Sequence, residues 1–427
     1  MAKILLLTDA YPPESCASAY LMRVLAQYFS VHGISVDVIT CQPKFNVPGG
    51  TPNRWRGSSL DGSVRVLRVS PPPIHKARPI VRGFGEILLA FLFLWKGLLT
   101  RGIDVVVCYT PPLTLGLTAY VLSRIKKVPF VMDVHDIFPQ YAVDIGVLKN
   151  KFVIHCFEIL EKFLYKKANH LMVTCEGNKS LVCCRGADAK EVTVMPHWVD
   201  IKSPRQEPSG LIEKLHLQGK FIALFGGVLG HQQDFDVIID AATRLVNERD
   251  ICFLIAGDGS EKPRLLHLVQ ERNLINVTFS DYLDQEQYWG LLDRVHVGLA
   301  TLRPEVGLTV VPSKINAYMA CGKPVIAVLR GDSDCARLIR QSDAGFVCAP
   351  GDSRALADAI LKLSRDQGLY RQLGLNGKIY AQKYFSKEVV LEEYSRVINL
   401  LIRGFSGEIV GVGATEGAKE SNAVQVV

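Results

Sequence analysis

The chain lacks most of the features that fix a protein's class at a glance. None of its eleven cysteines forms a CxxC pair, and no Cys/His cluster has zinc-ligand spacing. Reduced thiols in a cytoplasmic protein are the simplest reading of that pattern. The start, "MAKILLLTDAY", has no basic region, long apolar run and small-residue cleavage site, and reads as a first strand rather than a signal peptide. The greasiest segment, "EILLAFLFLWKGLLTRG" (Glu86–Gly102), contains an uninterrupted apolar run of nine residues, Ile87–Trp95. A bilayer span needs ~20. A GxGxxG turn is absent after the first strand, which argues against a nicotinamide dehydrogenase. One further absence is local. "FGGVLGHQQDFDVIIDAA", residues 225–242, reads as a strand end, a glycine turn and a helix start, an arrangement that presents N–H groups to an anion. Yet it contains no lysine or arginine.

What is present is a repeated β-α pattern. In 427 residues, ~100–200 per domain predicts two or three domains. "KILLLTD", "SVDVITC", "VRVLRVS", "DVVVCYT", "PFVMDVHD", "HLMVTCE" and "EVTVMPH" read as strands of a first unit, with helices such as Ala19–Val31 and Phe152–Lys167 between them. "KFIALFGG", "ICFLIAGDG", "NVTFSDY", "VHVGLATL", "KPVIAVL" and "AGFVCAP" restart the pattern. Short apolar strands alternating with helices mean parallel sheets. The expectation is an α/β chain of two Rossmann-like, doubly wound domains facing across a cleft. Their bounds are 1–199 and 200–383, followed by a helix over 384–404 that crosses back to the first domain and a mobile tail over 405–427. The link is Asp200–Gly219, around "KSPRQEPSG". Ligands in such sheets bind beyond the C-terminal strand ends.

Charge divides the same way. Residues 1–200 carry 23 Lys+Arg against 15 Asp+Glu; the other 227 carry 26 against 27. A basic half suggests an anionic partner. Basic residues do not interleave with aromatics as in a nucleic-acid module, so a membrane surface is preferred. Glu86–Gly102, flanked by Lys76, Arg78, Arg82 and Arg101 and interrupted by Lys96, reads either as a packed helix or as one lying in a membrane interface.

Several strand ends carry chemistry. His135 and Asp136 follow the strand of "VMDVHDIFPQ"; an imidazole beside a carboxylate orients a hydroxyl or binds a charged intermediate. "MPHWVD" reads as a hinge-side turn in which His197 and Trp198 are structural. "PEVGLTVVPSKINAYMACGKPVIA" (Pro304–Ala327) is the richest stretch: a glycine loop precedes a helix that Ser313 would cap. Lys314 then falls in the first helical turn. A cation there is unfavourable to the helix and becomes sensible when an anion binds.

Taken in order, "YPPESCASAY", the run from "TPPLTLGLTAY" to "DVHDIFPQYAVDIGVLKN", "MPHWVD", "FGGVLGHQQDFDVIIDA", "AGDGSEKPRL" and "VPSKINAYMACGKPVIA" resemble glycosyltransferase family 4, the retaining GT-B enzymes. The L-fucosamine-transferase-like branch of bacterial surface-polysaccharide synthesis, as in O-antigen or capsule assembly, is the most similar. The resemblance covers roughly residues 1–400. It implies a retaining, metal-independent hexosyl or N-acetylaminosugar transfer, without a cofactor, from a nucleotide sugar, UDP-linked by expectation. Gly227, Gly230 and His231, with Gly307, Leu308, Thr309, Val310 and Lys314, would hold the donor, and Tyr282 would lie near the base. Cys16 and Ala17 occupy the acceptor-side glycine positions, and His135 and Asp136 would contact the transferred sugar. The acceptor is expected to be a polyprenyl-linked glycan at the cytoplasmic face of the inner membrane, held through the basic first domain, with no nucleic acid involved.

Four positions depart from this pattern. Val228 and Gln233 occupy the places of the family's loop arginine and lysine, and Thr309 and Ala317 those of its paired glutamates. The positive charge is expected to have moved to Lys314, assisted by Arg303 or Arg330. A non-catalytic nucleotide-sugar-binding protein and a GT-B UDP-sugar epimerase are the alternatives.

Overall fold

The alternation of side chains along each strand decides the architecture. In the first strand Leu5 and Leu7 enter one apolar cluster while Ile4 and Leu6 enter another, so both faces of the sheet are covered. Strands buried on both faces are those of parallel sheets packed between helices. The computed structural model describes residues 2–405 apart from 15, 44–56, 71–78, 145, 202–209 and 308. Leu308, most of "KSPRQEPSG" and the tail beyond 405 therefore lie outside the described residues.

The first sheet contains β1 (Lys3–Leu7), β2 (Ser35–Cys41), β3 (Ser58–Asp61), β4 (Val64–Val69), β5 (Val105–Thr110), β6 (Phe130–Val134), β7 (His170–Val173) and β8 (Val192–Val194). Their order is β3-β4-β2-β1-β5-β6-β7-β8, parallel except for the β3–β4 hairpin at the edge. The second sheet contains β9 (Phe221–Gly226), β10 (Ile251–Ala256), β11 (Val277–Ser280), β12 (Val297–Thr301), β13 (Val325–Val328) and β14 (Gly345–Cys348). It is wholly parallel, in the order β11-β10-β9-β12-β13-β14. All thirteen strands read from the sequence form. The expectation of two doubly wound α/β sheets is met.

The helix Lys387–Phe405 places Val390, Leu391, Tyr394, Val397 and Ile398 among Ile4, Met22 and Val38. The preceding helix, Gln367–Tyr384, instead sends Leu373 and Ala381 into the second sheet's clusters. Between them, Phe385 and Lys387 exchange main-chain hydrogen bonds with Val199 at 2.7 and 3.0 Å. The chain thus crosses from one sheet to the other twice, side by side.

The greasy segment forms most of the helix Pro79–Leu99. Leu89 and Phe93 enter the core, whereas Ile87, Leu88, Phe91, Trp95, Leu98 and Leu99 are exposed. Among the described residues no helix is long and apolar enough to cross a membrane.

Candidate active site

The C-terminal ends of β6, β9, β10 and β12 supply the loops expected to carry chemistry. The loop after β6 and the loop before the helix Ser313–Ala320 meet across a cavity of 280 Å³, lined by His135, Asp136, Tyr141, Gly307, Thr309 and Val310 among others. The fold therefore brings residues 170 positions apart in sequence into one wall-to-wall site.

His135 does not take Asp136 as its carboxylate. Its Nε2 lies 3.1 Å from Asp133 Oδ2, and its Nδ1 lies 2.7 Å from His197 Nε2. The reason is strand geometry: residues two apart point the same way, so Asp133 and His135 share one side while the next residue turns away. His135 is held through Nδ1 by His197, its Nε2 lies near Asp133 without a hydrogen bond, and both His135 and Asp136 line the cavity. Burial raises the Asp136 carboxyl above its usual range, with nearby His135 opposing the shift. His197 is held uncharged: burial, then repulsion from His135, pushes its pKa down to about 3. Its carbonyl accepts 2.8 Å from Asn316 Nδ2, on the helix Ser313–Ala320. His197 was read from sequence as structural; it is the link between the two loops. Its partner is 62 residues away, and no local pattern announces it.

The glycine turn after β9 is built differently from a phosphate cradle of free amides. Gly227 N–H donates to Ala256 O and Leu229 N–H to Asp258 O, both at 2.9 Å. Gly227 thus supplies space rather than a donor. At Gly257, with φ +147°, a Cβ would stand 1.9 Å from Gly227 O, so only glycine allows these two turns to interlock. The helix that follows, Asp236–Arg244, has no side-chain cap but carries an acid in its first turn, Asp236, which pairs with Arg264 at 2.6 Å.

The helix Ser313–Ala320 is the contrast. Its N-cap is Pro312, no side chain caps it, and its first turn holds no acid. Ser313 is therefore the first helical residue and not the cap, because Pro312 already sits in the extended cap geometry. Lys314 Nζ is sealed from solvent without a hydrogen-bond partner. It lies 3.4 Å above the Phe225 ring and next to Gly227, where a Cβ would be 3.7 Å away. Burial pushes its pKa down from 10.5 to about 7. Lys314 is thus a buried amine without a hydrogen-bond partner in the first turn of a helix that no side chain caps.

Other candidates fall into two groups. Arg303 donates its main-chain N–H to Gln232 O at 3.0 Å, and burial raises the Asp234 carboxyl against the opposing pull of nearby Arg303, so Arg303 borders the glycine turn. Arg330 does not: it is held at the surface by Asp332. His231 is exposed and pairs with Glu261 at 2.5 Å. Gly230 accepts from Gln233 N–H within the turn. Tyr282 is exposed just past β11. Cys16 and Ala17 are exposed at the start of the helix Ala17–Val31, beyond β1. Thr309 O accepts from Cys175 Sγ at 3.2 Å, which ties the donor-side loop to the first sheet.

Comparison with known proteins decides the family. Residues 18–198 match the model of the glycosyl transferase 4-like domain, and residues 220–366 match that of glycosyl transferases group 1. The two matches together span most of the chain. The chain belongs to the group 1, family 4-like glycosyltransferases. This glycosyltransferase is 28% identical over 344 residues to the probable glycosyltransferase WbjE of Pseudomonas aeruginosa, covering 78% of this chain and 83% of that protein. It is 22% identical to the putative colanic acid biosynthesis glycosyl transferase WcaI of Escherichia coli, covering 92% and 98%. Among solved structures, HepE of Anabaena in complex with UDP superposes with a TM-score of 0.70 at 16% identity, covering 94% of this chain and all of that one. Sucrose-phosphate synthase of Thermosynechococcus elongatus gives 0.73 at 18%, covering 95% and all of that chain. The fold is therefore GT-B.

Proposed function

We propose that this glycosyltransferase moves a sugar, with retention and without a metal, from a UDP-sugar to a lipid-linked glycan of the cell surface, as an enzyme of the L-fucosamine-transferase-like branch. Residues 200–383 hold the donor, residues 1–199 present the acceptor, and 384–404 tie the two together. The observation that carries the reading is Lys314: a buried amine without a partner in the first turn of an uncapped helix, beside the interlocked glycine turns. A diphosphate seated there gains a charge-assisted hydrogen bond and the helix dipole. The same groups stabilise the charge that develops on the departing diphosphate, so the site is electrostatically preorganised for leaving-group departure. His135, held by His197 beside Asp133, shapes the sugar side of the cavity. The UDP bound to the structural neighbour HepE and the colanic acid biosynthesis named for the relative WcaI support the donor and the pathway class.

The acceptor end of the reading rests on surface chemistry. Ile87, Leu88, Phe91, Trp95 and Leu99 form an exposed apolar face on the helix Pro79–Leu99, and Phe152 and Ile159 are exposed on the helix Lys151–Lys167. Lys96, Arg101, Lys151 and Lys162 accompany them. Apolar and basic residues together suit an anionic membrane surface, where a polyprenyl-linked acceptor is anchored.

A thermal-shift panel of UDP, GDP, dTDP, CMP and NAD, with and without magnesium, tests the reading. A ligand that binds only the folded chain stabilises it by ~2.7 kcal/mol at a hundredfold excess over Kd. UDP is expected to shift the parent in the absence of magnesium and to lose that shift in Lys314→Ala. No shift with any nucleotide would overturn the nucleotide-sugar reading itself; a UDP shift with no transfer to any glycan would favour the non-catalytic one.

A further inference from the structure

The cavity between the two loops has a chemical bias of its own. Its described lining includes Asp136, Asp144, Gln140 and Asn178, and no lysine or arginine. Asn178 is 2% exposed; its Nδ2 donates to Thr174 Oγ1 at 2.9 Å, while its Oδ1 is sealed from solvent with no partner. A buried acceptor without a donor is rare in a native fold and points to a ligand hydrogen. Asp144 Oδ1 accepts from Gln140 Nε2 at 2.7 Å. Its Oδ2 stands 2.9 Å from the position of a Cβ on Gly307, so this carboxylate reaches the lip of the donor-side loop. Arg185, which donates to Gln140 Oε1 at 3.4 Å, is held by the buried Glu161 at 2.6 and 2.7 Å.

We infer that this cavity receives the transferred sugar and selects a ring bearing no negative charge, with Asp136, Asp144 and Asn178 as the specificity-determining residues. The inference rests on the nucleotide-sugar reading above and deepens it. Sugar hydroxyl and amino groups donate to the two carboxylates and to Asn178 Oδ1. A sugar carboxylate would sit beside two carboxyl groups in a partly dehydrated space whose described lining holds no lysine or arginine, where like charges repel strongly. The substrate class is therefore a neutral or amino sugar, and uronic acids are excluded.

Calorimetry on matched donors tests this: UDP-glucose against UDP-glucuronate, UDP-galactose against UDP-galacturonate, and UDP alone. Each is measured on the parent, Asp136→Asn and Asp144→Asn, and each affinity is expressed relative to UDP for the same protein. Asp144 is only partly buried, so its variant is expected to fold. The expected result is a uronate at least tenfold weaker than its neutral partner in the parent, with the gap narrowed severalfold in at least one variant. Equal affinities, or a tighter uronate, overturn the inference. A gap that neither variant moves overturns the assignment to these carboxylates. UDP that fails to bind the parent overturns the donor reading itself, a distinct outcome.

Discussion

Replacing Lys314 by methionine separates the stability penalty of this residue from its contribution to binding. In the unliganded chain its amine has no partner and sits over Phe225. Its pKa falls from 10.5 to about 7. At pH 7 the unfolded lysine is charged and the folded one half-charged, which costs the fold about 4 kcal/mol at ~1.4 kcal/mol per pH unit. The contact with the Phe225 ring returns ~1–2 kcal/mol of that. Methionine has a similar shape and no charge, so Lys314→Met is expected to stabilise the unliganded chain by ~1–3 kcal/mol. The sign with pH follows from a lowered folded pKa. Between about pH 7 and 10.5 the unfolded state binds more protons, so parent stability rises with pH across that window. The advantage of the variant is therefore greatest below pH 7 and fades towards pH 10.5. UDP affinity moves the other way. Losing one partner of a buried charge pair costs ~2–5 kcal/mol, which is a weakening of about 30-fold or more. Urea denaturation at pH 6, 7.5 and 9, with UDP calorimetry, reads both. A variant that is less stable than the parent and binds UDP within threefold would refute the reasoning, since Lys314 would then be a packing element.

The remaining predictions use other parts of the site. A phosphate beside Lys314 restores its charge, so UDP binding takes up a proton above about pH 7 and affinity falls as pH rises from 7 to 9; calorimetry in buffers of different ionisation heat is expected to show that uptake, and a buffer-independent heat would contradict it. A Cβ at Gly177 would stand 1.9 Å from Asp334 Oδ2, which docks on the start of the helix Glu176–Cys184 from the other sheet. Gly177→Val is accordingly expected to lower transfer at least tenfold, with recovery in the Gly177→Val/Asp334→Gly double variant; failure of the second change to recover anything would show that the damage lies elsewhere. On the exposed helix face, Phe91→Ser with Trp95→Ser is expected to reduce sedimentation with anionic phospholipid vesicles at least fivefold while leaving UDP affinity in place, and vesicle binding that is unmoved by these changes or by added salt would remove the membrane reading.

The sheets were legible because period-two apolar runs repeat between turn residues, and thirteen such runs became strands. The fourteenth, β3, was invisible: "SSLD" is polar and half-exposed, as an edge hairpin strand permits. The helix Gln367–Tyr384 was likewise hidden by Gly368, Gly374 and Gly377. The latter two serve contact: a Cβ at Gly374 would stand 2.3 Å from Gly322 O, and one at Gly377 3.1 Å from Ala344 Cβ. Lys314 was legible as an oddity, a cation at a helix start; that its amine is buried without a partner is visible only in the fold. What the sequence could not show was partner choice across the fold. Asp133 rather than Asp136 lies beside His135, and His197 is its hydrogen-bond partner, because strand direction and a contact over 62 residues decide it. Nor could glycine spacing reveal that the Gly227 amide is already bonded to Ala256. A loop that looks like a phosphate cradle can owe its glycines to the turn packed beneath it.

The central claim is that a nucleoside diphosphate sits between Gly227 and the Gly307–Val310 loop, paired with Lys314. A crystal structure with UDP, grown without divalent ions, tests it most directly. The account predicts a phosphate oxygen within hydrogen-bond distance of Lys314 Nζ at the start of the helix Ser313–Ala320. UDP bound elsewhere, or a diphosphate that leaves Lys314 unpaired over Phe225, would contradict it.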